Sequence, residues 1–254
     1  MMKTLVIGKG KVGEATAASL HKATIDFHDP AKGLVVADFS DYSFAIVCVD
    51  TLRKGPHDHT DVLAVLNELV TKNFKGITLI RSTCNPEFVS QWKTLFSELR
   101  IVMFPEFMRQ TDDLKLDDPW IVVIGGEPED ALTSQWFLHD NGYCDDVSKY
   151  HRTNAVEAAV IKLCQNAGLA TKVIFFNMVN ELCEKYGANY NRVRIGVGAD
   201  KRVGIEYSTV PSPDDQKRGF KGHCLPKDVA CLASIETHGF FTKLLEINKK
   251  LGRE

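Results

Sequence analysis

Two hydrophobic patterns divide this chain. Over the first half, short apolar and β-branched runs (TLVIG, TIDFH, FAIVCV, ITLIRS, RIVMF and WIVVIGG) punctuate the sequence. Between several of them lie KVGEATAASLHK, HTDVLAVLNELVTKN and PEFVSQWKTLFSEL, whose apolar residues recur every three or four positions. Continuous apolar strands alternating with amphipathic helices predict a parallel sheet covered on both faces. The stretch GGEPEDALTSQWFLHDNG reads as a turn and a helix that stops at Gly142.

From about Asn154 to Tyr186 the pattern is helical throughout, with no proline and Gly168 as its only glycine. A helix of that length spans roughly 50 Å, which suits a connecting element. A further helix is predicted from Tyr190 to about Val197. The polar loop EYSTVPSPDDQKRGFKGHC follows. Two closing helices are predicted near Lys227–Thr237 and Phe240–Leu251. The expected fold is α/β: a Rossmann-like, doubly wound parallel sheet over residues 1–148. A long connecting helix and a small all-α domain then occupy residues 149–254.

Composition narrows the partners. With 254 residues and a formal net charge of −2, the chain has no global field that calls for nucleic acid or an anionic membrane. Its seven cysteines are scattered, without a C-x-x-C pair, a pattern expected of a reducing compartment; a cytoplasmic location follows. MMKTLVIGKG holds only a three-residue apolar run, Leu5 to Ile7, too short for a signal peptide and better read as a buried strand. No apolar run is expected to approach the length of a membrane span.

Gly8, Gly10 and Gly13 fall directly after the first strand and at the start of the first helix. In such a turn the first glycine permits the sharp bend and the second lets a pyrophosphate approach the backbone. The third lets helix and strand pack closely, with the helix N-terminus facing the phosphates. Asp29 ends the second strand 21 positions after Gly8, where an acid can bind ribose hydroxyls and favours NAD over NADP. Asp26 is its rival on the same strand.

Lys162 and Asn166 lie four apart and share a helix face. A lysine beside an amide donor can polarise a substrate oxygen and stabilise an alkoxide. Six cysteines read as small buried hydrophobes. Cys224 differs: it follows a glycine-containing loop and precedes a helix expected to start near Pro226, where the helix N-terminus and Lys227 would stabilise a thiolate. Asp228 is close enough in sequence to hold a lysine or a water. His57 and His59 in HDH are expected to be solvent-exposed polar residues, and no metal is expected.

Taken together, these residues resemble the UDP-glucose 6-dehydrogenase family of nucleotide-sugar dehydrogenases. GKGKVG, with Lys11 and Val12 inside it, resembles the family's dinucleotide loop. RSTCNP, containing Thr83, resembles its S-T-x-x-P strand end, and FPEFMR its P-E-F-L-R element. DKRVG is similar to its D-x-R-I-G, and GHCLPKD to its cysteine motif. The resemblance implies Cys224 as nucleophile, with Lys162, Asn166, Asp228, Thr83 and Glu106 as further catalytic residues. It adds Thr51 and Lys227 to the NAD-binding set. It assigns Phe107, Met108, Arg109, Arg202, Phe220 and Gly222 to the substrate. The implied reaction is a four-electron oxidation of a nucleotide sugar, UDP-glucose first, to the carboxylate through a cysteine thiohemiacetal and thioester. The long helix offers an apolar face for a two-fold interface, so a homodimer is expected, and the resemblance implies Arg202 reaching a neighbouring subunit's site.

The sequence departs from the family pattern at several points. Family members are longer and carry a second Rossmann-like domain for the nucleotide, so the chain is expected to be a short form. Gln110 stands where the family usually has a second glutamate, and a neutral amide cannot act as a base. Lys221 and Gly222 replace a glycine pair. Ala159 stands in place of a glutamate three residues before the lysine, with Glu157 two positions off. The loop from Thr209 to Arg218 is longer and more charged than the family's, and the segment between the second strand and FAIVCV is shorter. Two other readings stay open: a single-step NAD-dependent β-hydroxyacid-type dehydrogenase, which needs no cysteine, and a catalytically inactive NAD-binding module.

Overall fold

The structure is a computed structural model and describes residues 3–51, 54–56, 58–107 and 119–253. Met108, Arg109, Gln110 and His57 lie outside the described residues. The chain divides into two compact units, one running to Lys162 and the other beginning at Leu163.

The first unit is built on seven strands. They are β1 (Lys3–Ile7), β2 (Thr24–His28), β3 (Tyr42–Val47), β4 (Ile77–Ile80), β5 (Arg100–Met103), β6 (Val122–Gly125) and β7 (Tyr150–Thr153). They are ordered β2-β1-β3-β4-β5-β6-β7. Every pairing is parallel except β5 with β6. The central strands β3, β4 and β6 are almost wholly buried, which is why they read as nearly continuous apolar runs. Four helices accompany them: α1 (Lys11–Ser19), α2 (Thr60–Thr71), α3 (Pro86–Leu95) and α4 (Pro128–Asp140). Alternate strand residues feed two separate cores. Leu5, Ala45, Val47 and Ile80 pack with Leu66 of α2 and Trp92 of α3 on one face. Val6, Ile46, Leu79 and Ile124 pack with Leu20, beyond α1, and Leu138 of α4 on the other. The doubly wound sheet expected from the sequence is therefore present.

Strand β7 was not anticipated. Its residues YHRT carry no apolar run because it is the last strand in the sheet and faces solvent along its middle. The sequence places the domain boundary after residue 148. The division in the structure falls further on, because β7 and the first two turns of the next helix complete the first unit.

That helix, α5 (Ala155–Tyr186), continues into the second unit, which adds α6 (Tyr190–Gly198), α7 (Cys224–Ile235) and α8 (Phe240–Lys250). Asn154 and Glu157 start α5 with a reciprocal capping box: the Glu157 amide donates to Asn154 Oδ1 at 2.9 Å, and the Asn154 amide to Glu157 Oε2 at 3.1 Å. Glu157 is thus a capping residue, and Ala159 lies fully buried in the apolar core of the first unit. Among the described residues α5 is the one helix long and apolar enough, by length and composition, to cross a membrane; 44% of its most apolar window is buried. This corrects the expectation that no stretch approaches such a length. Its apolar residues serve packing, with Ala158 in the sheet's core and Leu163, Ala167, Ala170 and Phe176 buried further along.

Candidate active site

The glycine turn occupies the carboxyl ends of β1 and β3, where the strand order reverses and open α/β sheets bind ligands. Gly8 adopts φ +94°, and a Cβ there would meet the Cys48 carbonyl oxygen at 2.6 Å. A Cβ at Gly13 would stand 2.0 Å from the Gly8 oxygen. Both glycines are required by the chain's own packing. Gly10 is not: a Cβ there would meet nothing within 4 Å. A glycine that the fold does not need, at the N-cap of α1, fits the close approach of a pyrophosphate.

Asp29 Oδ2 accepts the Lys9 amide at 2.9 Å, and Gly8 donates to the His28 carbonyl at 2.9 Å, so the end of β2 holds the turn. Lys32 reaches back to the Lys9 carbonyl. Asp26, the rival acid, instead accepts the Tyr42 hydroxyl at 2.7 Å. The Tyr42 phenol is pushed up to about 12 by burial and by that carboxylate. Lys11 and Val12 form the first turn of α1; Thr51 is buried past β3 and Thr83 half-buried past β4. Cys48, behind the turn, has its thiol pushed up to about 11 by burial.

A second group surrounds the end of β5. Arg81, with its side chain fully buried, pairs with Glu106 and donates to the Tyr143 hydroxyl at 3.2 Å. Its guanidinium also lies 4.2 Å from the Phe104 ring centroid. The negative charge of Glu106, expected to assist hydrolysis, is therefore committed to a buried cation. Lys162 is buried, with its ammonium 5.3 Å from the centroid of the Phe107 ring. Neither Arg81 nor Tyr143 stood out in the sequence; the arginine in RSTCNP was its only trace.

The second unit holds the remaining candidates. Asn166 on α5 donates its side-chain amide to Asp228 Oδ2 on α7 at 2.6 Å, and both residues are buried. α7 begins at Cys224 with His223 as its N-cap, two residues before the start expected near Pro226. Pro226 is accommodated within the first turn, where its missing N–H would have had no helical partner. Cys224 is consequently exposed on the first turn, and Asp228 lies four residues on along the same face. Lys227 is half-buried between them. Cys231, further down α7, differs in kind: burial, with Asp228 nearby, pushes its thiol up to about 12.

Phe220 is buried before the cysteine, and Gly222 takes φ +92°. Arg202 is exposed and bound to Asp200 of its own loop, with Nη2 2.6 Å from Oδ2. His59 departs from expectation. It is buried, stacks on Phe88 at 4.3 Å and accepts the Asn85 amide on Nε2 at 3.0 Å, fixing the N-cap of α3. Among the described residues no group of three or more His, Cys, Asp or Glu is placed to hold a metal ion.

This fold is that of the Rossmann-type dehydrogenases. It matches a UDP-glucose dehydrogenase from the hyperthermophilic archaeon Pyrobaculum islandicum with a TM-score of 0.79 at 20% identity, over 98% of this chain and 68% of that one. A 3-hydroxyisobutyrate dehydrogenase from Mycobacterium tuberculosis matches with a TM-score of 0.72 at 17% identity, over 99% of this chain and 94% of that one. At such identities the likeness is one of fold. Residues 156–251 match the UDP-glucose/GDP-mannose dehydrogenase family, central domain. The UDP-glucose 6-dehydrogenase of Rickettsia prowazekii is 29% identical over 223 residues, 85% of this chain and 45% of that protein. The chain spans about half the length of the curated relatives it matches.

Proposed function

We propose that this protein is an NAD-dependent dehydrogenase that oxidises the primary alcohol of a nucleotide sugar, UDP-glucose first, to a carboxylate. The observation that carries the reading is the buried Asn166–Asp228 bond with Cys224 exposed four residues before Asp228 on the same helix. Supporting it, the family match spans Lys162, Asn166, Arg202, Cys224 and Asp228 together.

NAD is held by the Gly8–Gly13 turn, with Lys11 and Val12 at the helix start, Asp29 on the ribose, and Thr51 and Lys227 completing the set. When bound, it supplies the oxidant for each of two two-electron steps. The chain's own residues do the rest. The Cys224 thiolate adds to the carbonyl carbon of the aldehyde formed first, giving a thiohemiacetal. Oxidation of that adduct leaves a thioester on Cys224. Attack by water breaks the carbon–sulfur bond, returns the thiolate and yields the acid. The Lys162 ammonium stabilises the alkoxide that develops, and Asn166 supplies an amide dipole to the same charge. Asp228, oriented by Asn166, takes the proton of the attacking water, and Thr83 serves the same proton relay. Glu106 acts by holding Arg81 as well as by assisting hydrolysis. Phe107, Met108, Arg109, Phe220 and Gly222 shape the sugar site, and Arg202 serves a neighbouring copy. A cytoplasmic homodimer belongs to the same reading; Phe175, Leu182 and Tyr186 give α5 an exposed apolar face for it.

The fold's near-complete coverage of the Mycobacterium tuberculosis enzyme supports a second reading, a single-step hydroxyacid dehydrogenase. Counting NADH formed per UDP-glucose consumed, with NAD in excess, separates them. Two NADH per sugar, lost in Cys224→Ser, is the expected result. One NADH with no need for the thiol favours the second reading. Intact NAD binding without turnover on any nucleotide sugar leaves a non-catalytic module.

A further inference from the structure

We infer that Arg253 and Asn248 are positioning residues for Cys224: they clasp the loop that delivers the thiol. This rests on the reading of Cys224 as the nucleophile. Arg253 lies just beyond α8, 8% exposed, yet its guanidinium makes four hydrogen bonds, all to residues 215–218. Nη1 and Nη2 grip the Asp215 carboxylate at 2.5 and 3.0 Å. Nε and Nη2 donate to the backbone carbonyls of Arg218 at 2.5 Å and Lys217 at 3.1 Å. A planar fork that takes two carboxylate oxygens and two carbonyls at once fixes both position and orientation, which a lysine cannot do.

Asn248 on α8 continues the grip. Its Oδ1 accepts the Phe220 amide at 2.8 Å and its Nδ2 donates to the Phe220 carbonyl at 3.1 Å. Asn177 on α5 accepts the Gly219 amide at 3.2 Å. Gly219 adopts φ +76°, and a Cβ there would stand 2.4 Å from Asn248 Oδ1 and 3.0 Å from Arg253 Cγ, so the clasp closes only over a glycine. Residues 215–220 are thereby anchored at nearly every position, four residues before Cys224. Three of these contacts are buried and four part-buried. Their effect is to hold the entry into α7, so that Cys224 stays on a formed first turn and its thiol is presented from one place.

The test compares thiols within one molecule. Cys224 and Cys164 are both exposed, and Cys164 lies on α5, away from the clasp. The rates of iodoacetamide alkylation of the two, mapped by peptide mass at pH 7, give a ratio that needs no catalytic turnover. Arg253→Ala is expected to lower the Cys224/Cys164 ratio roughly 2- to 5-fold, the span of a lost helix-terminus interaction. Arg253→Lys should recover little of it, and added guanidinium ion should restore part of it in Arg253→Ala. Asp215→Asn, a milder change for use if Arg253→Ala fails to fold, should lower the ratio in the same direction. A ratio unchanged in both variants, or two thiols that speed up together, overturns the clasp as a positioning device. Because the ratio is read without substrate, failure of the proposed dehydrogenase activity would appear separately, as absent NADH with the ratio intact.

Discussion

The side-chain amide of Asn166 and the carboxylate of Asp228, 62 positions apart in sequence, meet across 2.6 Å in a buried hydrogen bond that ties α5 to α7. Asn166→Asp would set two carboxylates against each other there. One would hold its proton well above the ordinary range, so its folded pKa would exceed its unfolded one. The stability tied to that proton is fully present below roughly pH 4 and is lost as pH rises through the raised value. At neutral pH the variant should be destabilised by about 3 kcal/mol or more. Thermal melts should show the gap to the parent narrowing as the pH is lowered toward about 5. A gap that stays constant with pH would contradict this.

The three glycines of the nucleotide turn should separate by experiment. Gly13→Ala drives a Cβ into the Gly8 carbonyl, and the fold should lose about 3 kcal/mol or more. Gly10→Ala meets nothing and should melt within a degree or two of the parent, while its affinity for NAD, followed by calorimetry, falls at least tenfold. Equal melting losses in the two variants would remove the argument for a ligand at Gly10.

Glu106→Ala would strand the Arg81 guanidinium, whose side chain is wholly inside the protein. The expected cost is about 3–5 kcal/mol of stability. Chemical denaturation should register it whether or not substrate chemistry is affected. A variant as stable as the parent, but slow to release acid, would return Glu106 to a purely catalytic role.

Arg253 holds the Asp215 carboxyl well below the usual carboxylate range. A depressed carboxylate adds stability above its unfolded pKa, near 4, and that stability is lost as pH falls further toward the folded value. Asp215→Asn removes the group. Below about pH 4 the slope of stability against pH should therefore be shallower by close to one proton than in the parent. Matching slopes would show the pair to be immaterial to acid unfolding.

Much of this molecule is legible in one dimension, and the exceptions have physical causes. Strands β3, β4 and β6 announce themselves because burial on both faces leaves them few polar positions. β7 is silent because a last strand can be built from YHRT and still pair. The choice between Asp29 and Asp26 rested on where β2 ended, which periodicity leaves uncertain; the Tyr42 hydroxyl settles where Asp26 points. Glu157 looked like a displaced family glutamate, although N-x-x-E ahead of an apolar helix is itself a capping signal. Cys224, Asp228, Lys162 and Asn166 stand in motifs whose spacing is local. The clasp is different. Asp215 and Arg253 are 38 residues apart, and neither sits in a pattern, so only the fold pairs them.

The open space at Gly10 also bears on how such sequences drift. Gly8 and Gly13 are kept by the architecture, and selection for a folded chain alone would preserve them. Gly10 has no such protection. In a lineage that ceased to need the dinucleotide, it would be the first of the three to be replaced, leaving the outer pair as a fossil of the fold. If the turn holds NAD as proposed, the middle glycine, rather than the motif as a whole, is the position that would record the loss of that site.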